Sequence, residues 1–99
     1  MDKYVFEIID KTGRKIRLTK RQWRETTLKH PSMAVYLEEI KEALIRPDTI
    51  TDYSLDEYVR YYYKYFKLIK SKNKYILVIV KYLNGNGFVI KSYFENKIK

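Results

Sequence analysis

Residues 75–94 constrain the fold more than any other stretch of this chain. Tyr75-Ile-Leu-Val-Ile-Val-Lys-Tyr-Leu83 is apolar and rich in β-branched residues, Asn84-Gly85-Asn86-Gly87 interrupts it, and Phe88-Val-Ile-Lys-Ser-Tyr-Phe94 resumes it. Asn-Gly steps supply the positive φ angles of tight turns, so the pattern predicts a β-hairpin. The near-continuous apolar run predicts that its first strand is central, paired on both edges and covered on at least one face. The rest of the chain must cover this hairpin or extend it.

The segments before it read as such additions. Residues 4–9 are β-prone, Asp10-Lys-Thr-Gly13 is a turn, and Ile16-Arg17-Leu18 can return as the partner strand. Thr19-Lys-Arg-Gln22 has the capping-box pattern and predicts a short helix to about residue 29. Pro31 disfavours helix at His30 and suits the first turn of a new one, so His30-Pro31 predicts a corner between helices. A second helix over residues 32–46 would present Met33, Leu37, Ile40 and Leu44 as one stripe on the sheet, with Glu38, Glu39, Lys41 and Glu42 facing away. Pro47-Asp48 ends it, and a polar connection with an extended piece around Ile50 follows.

Residues 57–69 fit two patterns. Ser54-Leu-Asp-Glu57 matches a capping box, and Leu55, Val59, Tyr62, Phe66 and Ile69 fit a helical stripe. The same residues are dense in strand formers. As a strand they place Arg60, Tyr62 and Lys64 on one face and Val59, Tyr61 and Tyr63 on the other.

Ninety-nine residues suit one domain with a two-layer core. No apolar run reaches the roughly 18 residues that suggest a membrane span, and Met1 leads straight into a strand-like segment with no export signal. The absence of Cys removes disulfides and thiolate chemistry and favours a cytoplasmic location. The net charge of +9 points to a polyanionic partner, RNA first, and eleven Tyr supply rings that can stack on bases or pack in strands. Tyr62, Lys67 and Lys81 are candidates for RNA contact. With a single His, a zinc centre is not expected, and Glu38, Glu39 and Glu42 read as a solvated helix face.

Trp23, His30-Pro31, Arg46-Pro47-Asp48, Arg60-Tyr-Tyr-Tyr-Lys64, the strand from Tyr75 and Gly87-Phe-Val-Ile-Lys-Ser-Tyr93 occur in an order that resembles one family. It is the family of small phage-associated nuclease-like domains grouped with barnase, EndoU, colicins and RelE-type toxins. The resemblance covers residues 21–98. It implies an α+β fold with two N-terminal helices on a twisted antiparallel sheet, here preceded by the short hairpin, and it makes residues 57–66 a strand. It further implies metal-independent RNA cleavage, with no cofactor, and for a toxin an acidic antitoxin or inhibitor. His30 occupies the place of the family's His, Arg60 or Lys64 that of its basic residue, and Lys91-Ser92-Tyr93 that of its last-strand hydroxyl segment. The chain departs from the pattern at Thr26, where relatives often carry another His, at Ser32, where an acid commonly follows His-Pro, and at Lys91, which replaces a Thr. These changes leave open a second reading, a non-catalytic module that binds RNA or protein, including a virus-encoded inhibitor.

RNA cleavage without metal uses the substrate's own 2′-hydroxyl, so the protein need only move protons and stabilise a charged phosphorane. His30 is suited to the first task. Arg60, Lys64, Lys91 and Tyr93 are candidates for the second, while Ser92 is either a hydroxyl donor or a packing residue.

Overall fold

The computed structural model describes residues 3–99. Strands β1 (Tyr4–Ile9) and β2 (Lys15–Thr19) form the expected hairpin; α1 (Lys20–Lys29), a 3₁₀ turn (Pro31–Val35) and α2 (Leu37–Ile45) follow. The chain continues through β3 (Thr49–Tyr53), β4 (Asp56–Tyr65), β5 (Tyr75–Leu83) and β6 (Asn86–Glu95). All six strands join one sheet in the order β1-β2-β6-β5-β4-β3. The class is α+β, with both helices before the central hairpin. The sheet, however, is mixed. β2 runs parallel to β6 through Ile16–Gly87 and Arg17–Phe88, whereas every other pair is antiparallel. The N-terminal hairpin therefore extends the sheet instead of standing apart from it.

Local chemistry accounts for the hairpins. Asn84 (φ 55°) and Gly85 (φ 83°) supply the two consecutive positive angles of a type I′ turn between β5 and β6. Gly87 answers to a different demand. A Cβ there would lie against Ile16 Cδ1 and 2.9 Å from Val80 Cγ1, so only a bare backbone lets β2 close on β6. Gly87→Ala is expected to cost about 1–3 kcal/mol through overpacking, seen as a lower denaturant midpoint.

Of the two patterns over residues 57–69 the strand is the one formed, Asp56–Tyr65 between β3 and β5, and the Ser54–Glu57 match starts no helix. The Asp56 carboxylate instead accepts from the Tyr58 N–H at 2.9 Å and pairs with Lys81 at 3.2 Å. The helix anticipated over residues 32–46 is in two pieces that meet at Tyr36. Tyr36 packs edge-on against Phe94, and its hydroxyl accepts from the Lys70 N–H at 2.9 Å, contacts that fix it at the junction. The apolar stripe survives the break: Met33, Ile40 and Leu44 are fully buried.

The sheet has an apolar cluster on each face. On the helix side, Tyr62, Ile76, Val78, Val80, Tyr82 and Val89 meet Met33, Ile40, Ala43 and Leu44. On the other side, Val59, Tyr63, Leu77 and Ile79 are covered by Tyr61, Tyr75, Ile90, Tyr93 and Ile98. Removing this much apolar area from water is the main stabilising term. One carboxylate enters the helix-side core. Asp10 is 6% exposed, and its Oδ1 accepts from the Thr12 N–H, the Thr12 hydroxyl and the Arg14 N–H. Its Oδ2 accepts from the Tyr62 hydroxyl, which in turn accepts from the Tyr82 hydroxyl, itself 3.4 Å from Oδ2.

Candidate active site

The parallel contact between β2 and β6 is short, and it places the site. β2 ends at Thr19, whose hydroxyl accepts from the Gln22 N–H at 3.1 Å and starts α1 there. The helix then takes over the flank of β6 that β2 has vacated. The Gln22 side chain, which a capping box would turn back on Thr19, donates instead to the Ile90 carbonyl. Thr26 is buried on the inner side of α1, and His30 ends the helix with its N–H donating to the Thr26 carbonyl at 2.7 Å.

A bulge in β6 aims the facing residues. Ile79 pairs with Lys91 but Val80 pairs with Val89, so Ile90 is the extra residue. Bulges re-aim side chains next to functional sites. Here the shift sends Lys91 and Tyr93 to the face away from α2, while Ser92 pairs with Val78 and Phe94 with Ile76 of the helix-side core. The strand's broken alternation at Val89-Ile90-Lys91 carried a trace of this.

Between α1 and the sheet lies a cleft of about 340 Å³, lined from the helix by Gln22, Glu25, Lys29 and His30 and from the sheet by Tyr61, Ile79, Ile90, Lys91 and Tyr93. The His30 ring stacks on Tyr93 with centroids 5.4 Å apart and planes 23° apart. Partial burial, with Glu95, Tyr61 and Tyr63 nearby, pushes the Tyr93 hydroxyl up in pKa. Burial, reinforced by Tyr53 and Tyr63, does the same for Tyr61. Both phenols are therefore hydrogen-bond donors across the neutral range. Glu25 stands 3.7 Å from Arg21 and is half-exposed. Among the described residues neither Lys29 nor Lys91 has an ion-pair partner.

The structure thus brings His30, Lys91 and Tyr93 together and adds Glu25, Lys29, Gln22 and Tyr61, which the sequence reading did not single out as site residues. For the three on α1 the signal was spacing: Gln22, Glu25 and Lys29 recur at helical intervals ahead of the Pro31 corner.

Arg60 and Lys64 are elsewhere. They alternate with Tyr61 and Tyr63 and so belong to the helix side of β4, where Arg60 pairs with Asp52 and Lys64 with Asp48 at 3.7 Å. Neither lines the cleft. Lys81 is held by Asp56, whose pKa is lowered by the Tyr58 N–H and then by Lys81 itself. Lys67 lies beyond the end of β4, beside Tyr36 and Phe66 in a second depression. Tyr62 cannot stack on a base. It is fully buried, and burial with its bond to Asp10 pushes its hydroxyl far up in pKa.

Ser92 borders the cleft, but its Oγ is sealed from solvent and has no hydrogen-bond partner. A buried hydroxyl without a partner is a net cost. Ser92→Ala is expected to leave stability unchanged or raise it by up to about 1 kcal/mol, measured by chemical denaturation.

Among the described residues no group of three or more His, Cys, Asp or Glu side chains is arranged to hold a metal ion, and no helix is long and apolar enough to cross a membrane. Comparison of the chain with protein-family models, with curated proteins and with solved structures finds no match.

Proposed function

We propose that this chain is a metal-independent ribonuclease-like protein that cuts RNA in the cleft between α1 and β6. One observation carries the reading. A single cleft gathers an imidazole, a carboxylate, two lysines without ion-pair partners and a protonated phenol, on a chain of net charge +9. Elsewhere on the sheet Arg60, Lys64 and Lys81 are each matched by an aspartate. Lys29 and Lys91, by contrast, can turn to a phosphodiester beside the proton-moving groups.

In this mechanism Glu25 accepts the proton of the 2′-hydroxyl as that oxygen attacks phosphorus. His30 gives a proton to the departing 5′-oxygen, and Lys91 and the Tyr93 hydroxyl donate to the phosphorane oxygens. The products are a 2′,3′-cyclic phosphate and a free 5′-hydroxyl. The stacked Tyr93 holds the imidazole plane, which limits the orientations that His30 can take. As a toxin or mobile-element protein, the chain would need an acidic inhibitor to cover the same cleft.

A second reading has its own support. Thr26, where the nuclease-like domains that the sequence resembles often carry a second His, is buried against the cleft, and Ser92 withholds its hydroxyl. A module that binds RNA without cutting it fits those two facts. Incubation of purified protein with cellular RNA in EDTA separates the two. Fragments ending in 2′,3′-cyclic phosphate support cleavage; salt-sensitive binding with intact RNA supports the module.

A further inference from the structure

Phosphate chemistry does not explain all of the cleft. Phosphate calls for donors and cations, yet the floor is Ile79 and Ile90, and one wall is the ring of Tyr61. Tyr61 is backed by Tyr53 from the edge strand, with centroids 5.7 Å apart and planes 17° apart, and Tyr63 lies behind it at 6.5 Å. A ring supported in this way is held in place before any ligand arrives, so little side-chain freedom is lost on binding. Tyr93 and the imidazole stacked on it line the same space. At about 340 Å³ the space is at the small end of ligand sites, roughly 300–1,000 Å³. That is room for one nucleotide and not for a base pair with its two backbones.

We infer that the cleft seats one unpaired nucleobase on Ile79 and Ile90 against the Tyr61 ring, with its phosphate at Lys91, so that the protein selects single-stranded nucleic acid and refuses duplex. The inference rests on the reading that the cleft receives nucleic acid, but it does not require that the strand be cut. Apolar contact from Ile79, Ile90 and the Tyr61 ring suits a π-face of any base, and stacking of this kind is tolerant of sequence. A duplex would have to unstack and unpair a nucleotide to enter, an added cost that a single strand does not meet.

The test uses single-stranded DNA carrying 2-aminopurine, because it offers the same base faces without a 2′-hydroxyl and so is not cut by the proposed route. Wild-type protein should quench the fluorophore in the single strand and leave it unchanged when the oligonucleotide is annealed to its complement. Tyr61→Phe should bind as wild type. Tyr61→Leu should weaken binding roughly 5- to 150-fold, the loss expected for one stacked base. Equal quenching in single strand and duplex, or a folded Tyr61→Leu protein that binds as wild type, overturns the inference. The comparison of single strand with duplex needs no variant, so it decides even if Tyr61→Leu does not fold. Quenching that depends on Tyr61, together with RNA that stays intact, upholds the base seat and removes the nuclease reading. RNA cut in a His30-dependent way, without any preference for single strands, does the reverse.

Discussion

Asp10→Ala is expected to lower unfolding stability by about 2–4 kcal/mol, more than any single exposed ion pair of this protein contributes. The carboxylate is buried and accepts from three donors of its own turn and from the Tyr62 hydroxyl of β4, which links it to Tyr82 of β5. Alanine removes every acceptor and leaves the Thr12 and Arg14 N–H groups without their partner. Tyr62 and Tyr82 could then bond only each other within the protein core. The loss couples two regions, because the turn between β1 and β2 is tied through Asp10 to the middle of the sheet. Tyr62→Phe is the graded comparison. It deletes one donor but leaves Asp10 its other partners, and should cost about 1–2 kcal/mol. Denaturant unfolding at pH 7 measures both, and an Asp10→Ala midpoint within error of wild type would refute the role given to this network.

The second large effect concerns chemistry. His30→Ala should reduce RNA cleavage by roughly 10²- to 10⁴-fold, the usual worth of one positioned acid or base. Glu25→Gln should fall in the same range, and the double variant should lose little more than the worse single one, because the two groups serve one displacement. His30 is exposed at the end of α1, so its replacement should leave the unfolding midpoint near wild type. Arg60→Ala serves as the contrast. It removes a cation from the opposite side of β4 and should change cleavage by less than about threefold. If Arg60→Ala were as damaging as His30→Ala, the assignment of the cleft would be wrong.

What could be read from the residues was what neighbours in sequence decide. Asn84-Gly85 specified its turn because the required φ angles belong to those two residues alone. The cap at Thr19, the corner at His30-Pro31 and the stripe of Met33, Ile40 and Leu44 were legible for the same reason. The alternation of β4 was also visible, and it correctly set Arg60, Tyr62 and Lys64 on one face. Which face the helices would cover was not, since that depends on packing between segments far apart in sequence. His30 and Arg60 therefore looked like partners and lie on opposite sides of the sheet. The bulge at Ile90 left only a faint break in alternation, because one extra residue changes the facing of everything after it while hardly altering composition. The parallel contact of β2 with β6 joins segments from opposite ends of the chain, and no local pattern announces such a pairing.

That junction has a consequence for the order of events in folding. β2 and α1 are among the first parts of the described chain to be synthesised, and β6 is the last strand. Closing Ile16 on Gly87 must wait until the chain has reached that glycine, and long-range closure of this kind slows folding. The cleft shares that dependence, since one wall rides on α1 and the other on β5 and β6. A growing chain on the ribosome, surrounded by RNA, would carry His30 and Glu25 long before it has Lys91 and Tyr93 to set against them. On the proposed mechanism, chain order alone then serves as a safeguard, with the cleft completed only when β6 is in place.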